Sequence, residues 1–486
     1  MNLTWHGALP SAMMLGRMPR PPRSTEPPRA PWEGQYAARR SPTRRAGAAG
    51  PSRVTRSAGS PVPPPVLGAR RLGRHGGRPT PALLRLRRTV VGLVIVALLV
   101  GLFCGIQLSR SVPPLAVANV LPAHLVASGS PPGLPLPAQG SADVEVEGLG
   151  QVGALRASES LPLASVTKLM TALVVLKDHP LSPGQQGPAI TVTPADAAAY
   201  SADLAQQDSV AAVAAGESLT ELQALEALLI PSADNVAVIL ADWDAGSVPT
   251  FVSKMNSEAQ QLGLSTTHYA DPAGLDPQSA GSAADMVRLA TYVMAQPVLR
   301  EIVAMPQVTL PVAGTVYNYD YVLGHDGIIG IKTGSTPQAG GNFVFAARRT
   351  VDGRNLTVLG AVLNQGGQQP LTSALDEAER LSVAAFSSVA QVTVLPKGTK
   401  VLTLSAPWGP RAVAVTTQAV GTLGIPGEAA SDRVDLSSGI SHLPSAKTGE
   451  QLGTVEVSFP GGTAKVPVAA SGNVAPASAS YRLGRI

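Results

Sequence analysis

The sequence predicts an α+β protein with one apolar helix before its main domain and a small all-β domain after it. A run of 20 residues without a charged side chain, 89–108, is long enough to cross a membrane as a helix. Helical periodicity in the middle of the chain, with alternating apolar runs on both sides, indicates helices packed on an antiparallel sheet. Short alternating runs separated by Gly and Pro after residue 390 indicate the small all-β domain.

The charge of the chain is unevenly distributed. The 486 residues carry a net charge of +5, yet residues 1–88 contain 17 arginines and two glutamates, so the remainder is acidic. This asymmetry excludes a uniformly basic nucleic-acid-binding protein, and we expect no nucleic-acid partner. The single cysteine, Cys104, excludes a disulfide framework, and no two of the seven histidines have His-x-x-x-His spacing. We therefore expect neither a metal site nor a cofactor.

The N-terminal part of the chain predicts a tail and a membrane anchor. Residues 1–88 are rich in Pro, Arg, Gly and Ser and lack apolar periodicity, which predicts disorder. Three arginines directly precede the run 89–108 and only Arg110 closely follows it, so the positive-inside rule predicts a single-pass protein of the cell membrane with a cytoplasmic N-terminus. A cleaved signal peptide is the alternative interpretation. In both cases the residues after 108 leave the cytoplasm.

Composition divides the exported part into four regions. Residues 109–139 are rich in Pro, Ser and Gly and predict a stalk. Residues 140–389 predict the main α+β domain, residues 390–475 the small β domain, and residues 476–486 a C-terminal tail.

Within the main domain, strands are predicted at both ends and helices between them. Alternating residues predict a hairpin from 142–150 and 151–158. The Asp352-Gly353 dipeptide between two apolar runs predicts a second hairpin. Helices are predicted at 165–179, 217–230, 234–243, 249–262, 282–296 and 373–388, and the later strands at 328–334, 341–349 and 356–364.

Three short motifs, in a set order, carry the candidate chemistry. They are Ser165-Val166-Thr167-Lys168, Ser232-Ala233-Asp234-Asn235 and Lys332-Thr333-Gly334. A second Lys-Thr-Gly begins at Lys447, but it lies in a Gly- and Pro-rich turn of the β region. Lys332 instead ends an apolar strand and is followed by another, which predicts a position on a sheet edge beside a cleft.

The first motif has the spacing of a nucleophile and its base. Positions i and i+3 lie on one helix face, so the side chain of Lys168 can reach the hydroxyl of Ser165. A serine hydroxyl is a poor nucleophile unless a nearby base takes its proton, and lysine is such a base only when it is neutral. Burial and a second nearby cation both favour the neutral amine, and Lys332 can be that cation.

The other motifs supply the remaining parts of an acyl-transfer site. The backbone N–H of Ser165, at a helix start, and that of Ser335 can face a developing oxyanion. Lys332 and Thr333 can hold a substrate carboxylate, and Gly334 completes the motif. Ser232 can relay a proton from Lys168 to the leaving group.

With these motifs the sequence resembles a known family, the low-molecular-mass penicillin-binding proteins that act as serine D-alanyl-D-alanine carboxypeptidases. The resemblance covers roughly residues 140–390 and extends beyond the motifs, which also occur in serine β-lactamases. Four blocks follow the order of the family: LPLASVTKLMTALVVL, GESLTELQALEALLIPSADNVAVILADW, FVSKMNSEAQQLGLSTTHYADPAGLD and GIIGIKTGSTPQAGGNFVFAARR. The resemblance implies the transpeptidase-like fold shared by penicillin-binding proteins and serine β-lactamases.

The resemblance also implies an activity and its partners. The penultimate D-Ala of a peptidoglycan stem peptide would acylate Ser165 with release of the terminal D-Ala, and water would hydrolyse the acyl-enzyme. β-Lactams would acylate the same serine and inhibit the enzyme. A serine β-lactamase is an alternative function, as is a catalytically idle homologue that binds the cell wall.

One position departs from the family pattern. The second motif of the family is Ser-x-Asn, whereas the third position here is Asp234 and Asn235 comes next. In one interpretation either side chain fills the role of the family asparagine after a small shift. In the other, the carboxylate of Asp234 pairs with Lys168 and favours the charged amine, which weakens a general base.

Overall fold

The structure is a computed structural model, and it describes residues 80–431, 433–436, 443–459 and 462–485. Most of the predicted disordered tail, 1–88, therefore lies outside the described residues.

The described part of the chain contains helices and strands in the following order. The helices are Pro81–Ser109 (α1), Lys168–Asp178 (α2), Pro194–Ala205 (α3), Glu221–Leu229 (α4), Asp234–Ala245 (α5), Val248–Gln261 (α6), Ala283–Ala295 (α7), Pro297–Val303 (α8), Pro370–Ser388 (α9) and Ala479–Leu483 (α10), with 3₁₀ turns at Ala164–Thr167 and His325–Gly327. The strands are Ala116–Asn119 (β1), Ser141–Val146 (β2), Gly150–Leu155 (β3), Leu161–Pro162 (β4), Ala189–Thr191 (β5), Ser218–Thr220 (β6), Ala280–Gly281 (β7), Gln307–Leu310 (β8), Gly314–Tyr317 (β9), Ile328–Thr336 (β10), Gly340–Val351 (β11), Arg354–Gln365 (β12), Ala390–Leu395 (β13), Lys400–Ser405 (β14), Arg411–Thr416 (β15), Val420–Gly424 (β16), Arg433–Leu436 (β17), Gln451–Phe459 (β18) and Gly462–Ser471 (β19).

Helix α1 is longer than the predicted span 89–108. It begins eight residues earlier, at Pro81, inside the segment predicted as disordered. Ala, Leu and Arg are good helix formers, so the turns ahead of the apolar run join the helix. Helix α1 is long and apolar enough to cross a membrane, and within the described part of the chain no other helix is.

The segment 109–139, predicted as a stalk, contributes a strand to the C-terminal sheet. Its residues Ala116–Asn119 (β1) pair with β14, so this strand forms one edge of the C-terminal sheet. Leu115 beside the strand is buried in the core of that sheet, and Val126 pairs with Ala429. Composition predicted a stalk because the segment is rich in Pro, Ser and Gly, whereas the partner strands that bury its apolar residues lie far along the chain.

The main domain is built on a five-stranded antiparallel sheet in the order β10-β11-β12-β2-β3. Val351 pairs with Arg354 across the two-residue turn Asp352-Gly353, which confirms that predicted hairpin. Both turn residues have positive φ, as a primed hairpin turn requires.

Helices cover both faces of this sheet. On one face Phe343 and Phe345 pack under α9, and on the other face Val344 and Ala346 join the core that includes α7. The alternation follows from the two-residue period of a strand, which sends successive side chains to opposite faces. The core on the side of Val344 and Ala346 continues into a helical subdomain, which is formed by helices α2, α4, α5 and α6.

Strand β1 and the C-terminal strands form a second sheet with the order β1-β14-β15-β19-β18-β17, and β13 pairs with β16. The predicted change to an all-β domain at residue 390 falls between the end of α9 and the start of β13. The predicted tail, 476–486, contains the short helix α10. Arg482 in α10 donates a hydrogen bond to the carbonyl oxygen of Leu108 at 3.2 Å.

Candidate active site

The 3₁₀ turn before α2 presents the candidate nucleophile. Ser165 lies in this turn and Lys168 begins α2. The Nζ atom of Lys168 donates a hydrogen bond to Ser165 Oγ at 2.8 Å. Ala164, directly before Ser165, has a φ of +49°, a strained conformation for a residue with a side chain. The predicted one-turn spacing therefore brings the hydroxyl and the amine into contact.

Lys168 is fully buried and uses all three of its N–H donors. Besides Ser165, its Nζ atom donates to Asp234 Oδ1 at 2.5 Å and to the carbonyl oxygen of Ala273 at 2.9 Å. The second oxygen of Asp234 accepts the backbone N–H of Ser209 at 3.1 Å. Burial raises the pKa of the Asp234 carboxyl, and the neighbouring Lys168 opposes that shift. The site therefore contains a buried lysine–carboxylate pair beside the candidate nucleophile.

Asn235 points away from this pair. Its amide oxygen accepts the backbone N–H of Ala211 at 3.1 Å, and its amide nitrogen donates to the carbonyl oxygen of Ala211 at 2.9 Å. Asn235 thus holds the backbone segment that carries Ser209. Of the two candidates for the family asparagine position, Asp234 is the one that contacts Lys168.

Ser232 occupies a strained position at the cleft. Its φ is +62°, which few residues other than glycine adopt. The side chain is almost completely buried, and its hydroxyl has no hydrogen-bond partner among the described residues. Strain of this kind persists where the surrounding structure enforces it, often at functional sites. The hydroxyl is free to donate or accept a bond with a ligand.

Strand β10 places the third motif opposite the nucleophile turn. A Cβ atom at Gly334 would lie 3.0 Å from the backbone nitrogens of Ser165 and Val166. Glycine leaves room for this close approach, and a larger residue would require the backbone of the turn to shift. Thr333 and the following Ser335 lie in the same strand and face the cleft.

Lys332 lies in β10 next to Thr333 and is buried. It is 2% exposed, and its Nζ atom donates to the carbonyl oxygen of Thr333 at 3.1 Å. Burial lowers the pKa of Lys332 well below its usual value, and the cation of Lys168 lowers it further. The carboxyl groups of Asp234 and Asp320 act in the opposite direction.

A cleft of about 200 Å³ joins the three motifs. Its lining consists of Ser165, Ser209, Ser232, Tyr319, Thr333, Gly334, Ser335 and Leu371. Five of the nine predicted site residues thus line the cleft, and Lys168, Lys332 and Asp234 are buried beside it. A larger cavity of about 420 Å³ between α2 and α6 contains none of them.

The structure adds contacts that sequence reasoning missed. Asn342 on β11 donates to the carbonyl oxygens of Pro162 and Leu163, which fixes the turn before Ser165. Asp271 accepts the backbone N–H of Ala273 at 2.7 Å and so orients the loop whose carbonyl binds Lys168. The loop with Asp271 and Ala273 lies within the block FVSKMNSEAQQLGLSTTHYADPAGLD, whose resemblance to the family could have indicated its role.

Comparison with known proteins agrees with this geometry. Residues 152–365 match the model of peptidase family S11, described as D-alanyl-D-alanine carboxypeptidase. The chain is 34% identical over 215 residues to D-alanyl-D-alanine carboxypeptidase DacB2 of Mycobacterium tuberculosis, covering 42% of this chain and 69% of that relative. It is 32% identical over 248 residues to D-alanyl-D-alanine endopeptidase of Pseudomonas aeruginosa, covering 48% of this chain and 77% of that relative.

A solved structure, that of the Streptomyces K15 DD-transpeptidase, is similar over 53% of this chain and all of the other, with a TM-score of 0.46 and 27% identity. The protein is a serine-type peptidase. The chain belongs to the D-alanyl-D-alanine carboxypeptidase family, which confirms the resemblance. The antiparallel sheet with helices on both faces agrees with the predicted α+β class.

Proposed function

We propose that this protein hydrolyses the bond between the last two D-alanines of peptidoglycan stem peptides through an acyl-enzyme on Ser165. The observation that carries the proposal is the contact between Ser165 Oγ and Lys168 Nζ at the cleft where all three motifs meet. Family membership supports the substrate class.

The first step makes an ester and releases D-alanine. Ser165 Oγ bonds to the penultimate carbonyl carbon while its proton passes to Lys168, which must then be neutral. Lys168 becomes neutral when its proton moves along the 2.5 Å contact to Asp234, and burial favours the protonated form of that carboxyl. The bond to the terminal D-alanine nitrogen then breaks, and Ser232 passes the proton from Lys168 to that nitrogen.

Other groups of the cleft stabilise the oxyanion and bind the substrate's terminal carboxylate. The backbone N–H groups of Ser165 and Ser335 stabilise the oxyanion that forms on the carbonyl. Thr333, which lines the cleft, binds the carboxylate of the terminal D-alanine, and the buried Lys332 beside it attracts that carboxylate. Water then attacks the ester, with Lys168 as the base, and restores the hydroxyl of Ser165.

β-Lactams mimic the acyl donor, so a fluorescent penicillin tests the nucleophile directly. We expect a stable label on the wild-type protein, a mass shift on the peptide that contains Ser165, and no label on Ser165→Ala. Release of D-alanine from a D-Ala-D-Ala stem peptide should be lost in the same variant. A label on Ser165→Ala, or a mass shift on another serine, would refute the proposal.

Two alternatives give different results in the same assays. A serine β-lactamase would turn over the penicillin and leave only a transient label. A catalytically idle wall-binding homologue would leave the protein unlabelled, and the pairing of Lys168 with Asp234 is the observation that favours it. A long-lived adduct together with release of D-alanine supports the carboxypeptidase over both.

We also propose a single-pass topology in which α1 anchors the protein and the cleft faces the outside of the cell. Arg85, Arg87 and Arg88 lie in the first turns of α1, whereas Arg110 alone follows its end. This asymmetry favours a cytoplasmic N-terminus. Protease added to intact spheroplasts should digest the region after Ser109 and spare an N-terminal epitope tag. Digestion of the tag alone would reverse the assigned orientation.

A further inference from the structure

Three exposed tyrosines lie together on one short segment beside the cleft. Tyr317, Tyr319 and Tyr321 are 64%, 50% and 49% exposed. Outside α1, Tyr292 is the only other exposed aromatic side chain among the described residues. Aromatic residues make up 4% of the chain, so three exposed rings within one short segment are a local concentration. Clustered exposed aromatic surface of this kind is typical of an interaction site.

The three rings share one side of the segment because exposure alternates along it. Asn318 is half-buried, and Asp320 and Val322 are buried. Successive side chains of an extended chain point to opposite sides, so residues two apart lie on the same side, about 7 Å from each other. Tyr317, Tyr319 and Tyr321 therefore form a row, at most about 13 Å long, which we call the tyrosine row.

Hydrogen bonds on the buried side fix the backbone of the tyrosine row. The backbone N–H of Asn318 donates to the carbonyl oxygen of Pro306 at 2.9 Å, and its Nδ2 atom donates to that of Met305 at 3.1 Å. Its Oδ1 atom accepts the backbone N–H of Asp320 at 3.0 Å, and Asp320 Oδ1 accepts that of Val322 at 3.1 Å. A surface that is ordered before its ligand arrives loses less entropy on binding.

The tyrosine row is continuous with the cleft. Tyr319 belongs to the cleft lining and is the one aromatic residue among the described residues that form it. Tyr321 donates a hydrogen bond to Asp376 Oδ1 at 2.6 Å, and Asp376 lies on α9, which also contributes Leu371 to the lining. Partial burial and this hydrogen bond raise the pKa of Tyr321 to about 12, so its phenol is neutral. A ligand that leaves the cleft over Tyr319 therefore meets an uncharged aromatic surface.

The substrate of the proposed reaction carries sugar rings outside the cleft. A stem peptide is attached to an amino sugar, and four of its residues lie between that sugar and the carbonyl that reacts with Ser165. Four extended residues span about 13 Å, so the sugar lies beyond the cleft of about 200 Å³, at its rim. Sugar rings have C–H faces that pack on aromatic rings, and their hydroxyl and acetamido groups can bind a phenol hydroxyl.

We propose that the tyrosine row binds the glycan strand of peptidoglycan and gives the enzyme a preference for glycan-linked stem peptides over free ones. The inference rests on the proposed function, because a stem peptide in the cleft is what brings its sugar to the row. Tyr317 and Tyr321 contact the sugar rings, and Tyr319 lies where sugar and peptide meet. The row contributes to substrate binding and takes no part in the proton transfers at Ser165.

The test measures release of D-alanine from two substrates by the full chain in nanodiscs. One is the free stem peptide that ends in D-Ala-D-Ala, and the other is the same peptide attached to a tetrasaccharide of the glycan strand. The values of kcat and KM are compared for the wild type, Tyr317→Ala and Tyr317→Trp. Tyr292→Ala is the matched control, because Tyr292 is 41% exposed on α7 and does not line the cleft.

We expect the wild type to have a KM for the glycan-linked peptide about tenfold below that for the free peptide. Tyr317→Ala should raise the KM for the glycan-linked peptide about fivefold, because one stacked ring is lost, and should leave that for the free peptide as it is. Tyr317→Trp keeps an aromatic ring and should restore the KM. The kcat values should be the same in all variants, and Tyr292→Ala should match the wild type.

Binding without turnover provides a second measurement. The Ser165→Ala variant is mixed with the peptide-free tetrasaccharide, and saturation-transfer NMR reports whether the sugar contacts the protein. We expect a signal that is reduced when Tyr317→Ala is added to Ser165→Ala and is unchanged when Tyr292→Ala is added. No signal with Ser165→Ala would contradict a glycan-binding row.

Equal KM values of the wild type for both substrates, or an equal rise for both in Tyr317→Ala, would overturn the inference. A dimer that Tyr317→Ala dissociates in analytical ultracentrifugation would assign the row to a second copy of the chain and would also overturn it. If Tyr317→Ala does not fold, Tyr317→Thr, which suits the strand β9, takes its place. Failure of the proposed function is separate, because the wild type would then release no D-alanine from either substrate.

Discussion

The ammonium of Lys168 lies 2.5 Å from the Oδ1 atom of Asp234, and both side chains are buried next to the hydroxyl of Ser165. A carboxylate therefore occupies the position where the family motif has an asparagine amide. In the proposed mechanism the proton of Lys168 passes along this contact to Asp234, whose pKa is raised by burial.

Replacing Asp234 with asparagine tests this proton transfer. If the neutral amine forms in the wild type by transfer of the proton to Asp234, as proposed, the rate of acylation should depend weakly on pH near neutrality. In Asp234→Asn the proton of Lys168 must leave to solvent, and acylation should fall more steeply below neutral pH. The measurement is the rate of labelling by a fluorescent penicillin from pH 5 to 9. A silent wild type together with an active variant would instead support the idle homologue.

The two Lys-Thr-Gly sequences provide a matched pair of variants. Lys332→Gln removes the buried cation next to Thr333, and acylation should slow by at least about 100-fold. Lys447→Gln makes the same change in an exposed turn and should leave acylation unchanged. Equal effects of the two substitutions would refute the assignment of the third motif.

Gly334→Ala should disrupt the approach of β10 to the nucleophile turn. The new Cβ atom would lie 3.0 Å from the nitrogens of Ser165 and Val166, and backbone must move to accommodate it. We expect a destabilisation of about 1–3 kcal/mol in urea unfolding and a loss of penicillin labelling. Gly133→Ala, at a site with no atom within 4 Å of the new Cβ, is the control and should change neither. Full labelling of Gly334→Ala would contradict the tight contact.

Glu221 should make stability fall as pH rises. It is fully buried, its oxygens have no hydrogen-bond partner among the described residues, and burial together with Asp244 raises its pKa from 4.5 to about 7. Between these values the folded state binds more protons than the unfolded state, so the free energy of unfolding decreases with rising pH until about pH 7. Urea unfolding at pH 5 and pH 8 measures the difference.

Two variants isolate this contribution. Glu221→Gln should remove most of the difference between the two pH values and raise stability at pH 8. Glu159→Gln, an exposed carboxylate, should leave the difference as it is. A difference that persists in Glu221→Gln would show that another group causes it.

Local patterns predicted much of the fold because they depend on neighbours in sequence. The hairpin at Asp352-Gly353 follows from the positive φ that these residues tolerate, and the helix after Ser165 follows from its apolar face. Helix α3 was not predicted, although Thr193 and Asp196 form a capping box at its start. Helix α3 has no apolar face that the sequence pattern could reveal, since none of its residues is buried.

Contacts between distant segments could not be predicted in the same way. Segment 109–139 has the composition of a linker, and only its pairing with β14 shows that β1 is a sheet edge. The choice between Asp234 and Asn235 also depended on tertiary structure, because adjacent helix positions face different directions. The start of α5 turns Asp234 towards Lys168 and Asn235 towards Ala211.

The sequence by itself determined the family, the identity of the motifs and the contact within Ser165-Val166-Thr167-Lys168, because each depends on residue type and short-range spacing. Tertiary structure decided which groups surround the two buried lysines. The carbonyl of Ala273, the carboxyl of Asp234 and the carboxyl of Asp320 come from separate parts of the chain. The burial and the electrostatic environment of a side chain depend on every segment that packs around it. A local sequence pattern does not contain that information.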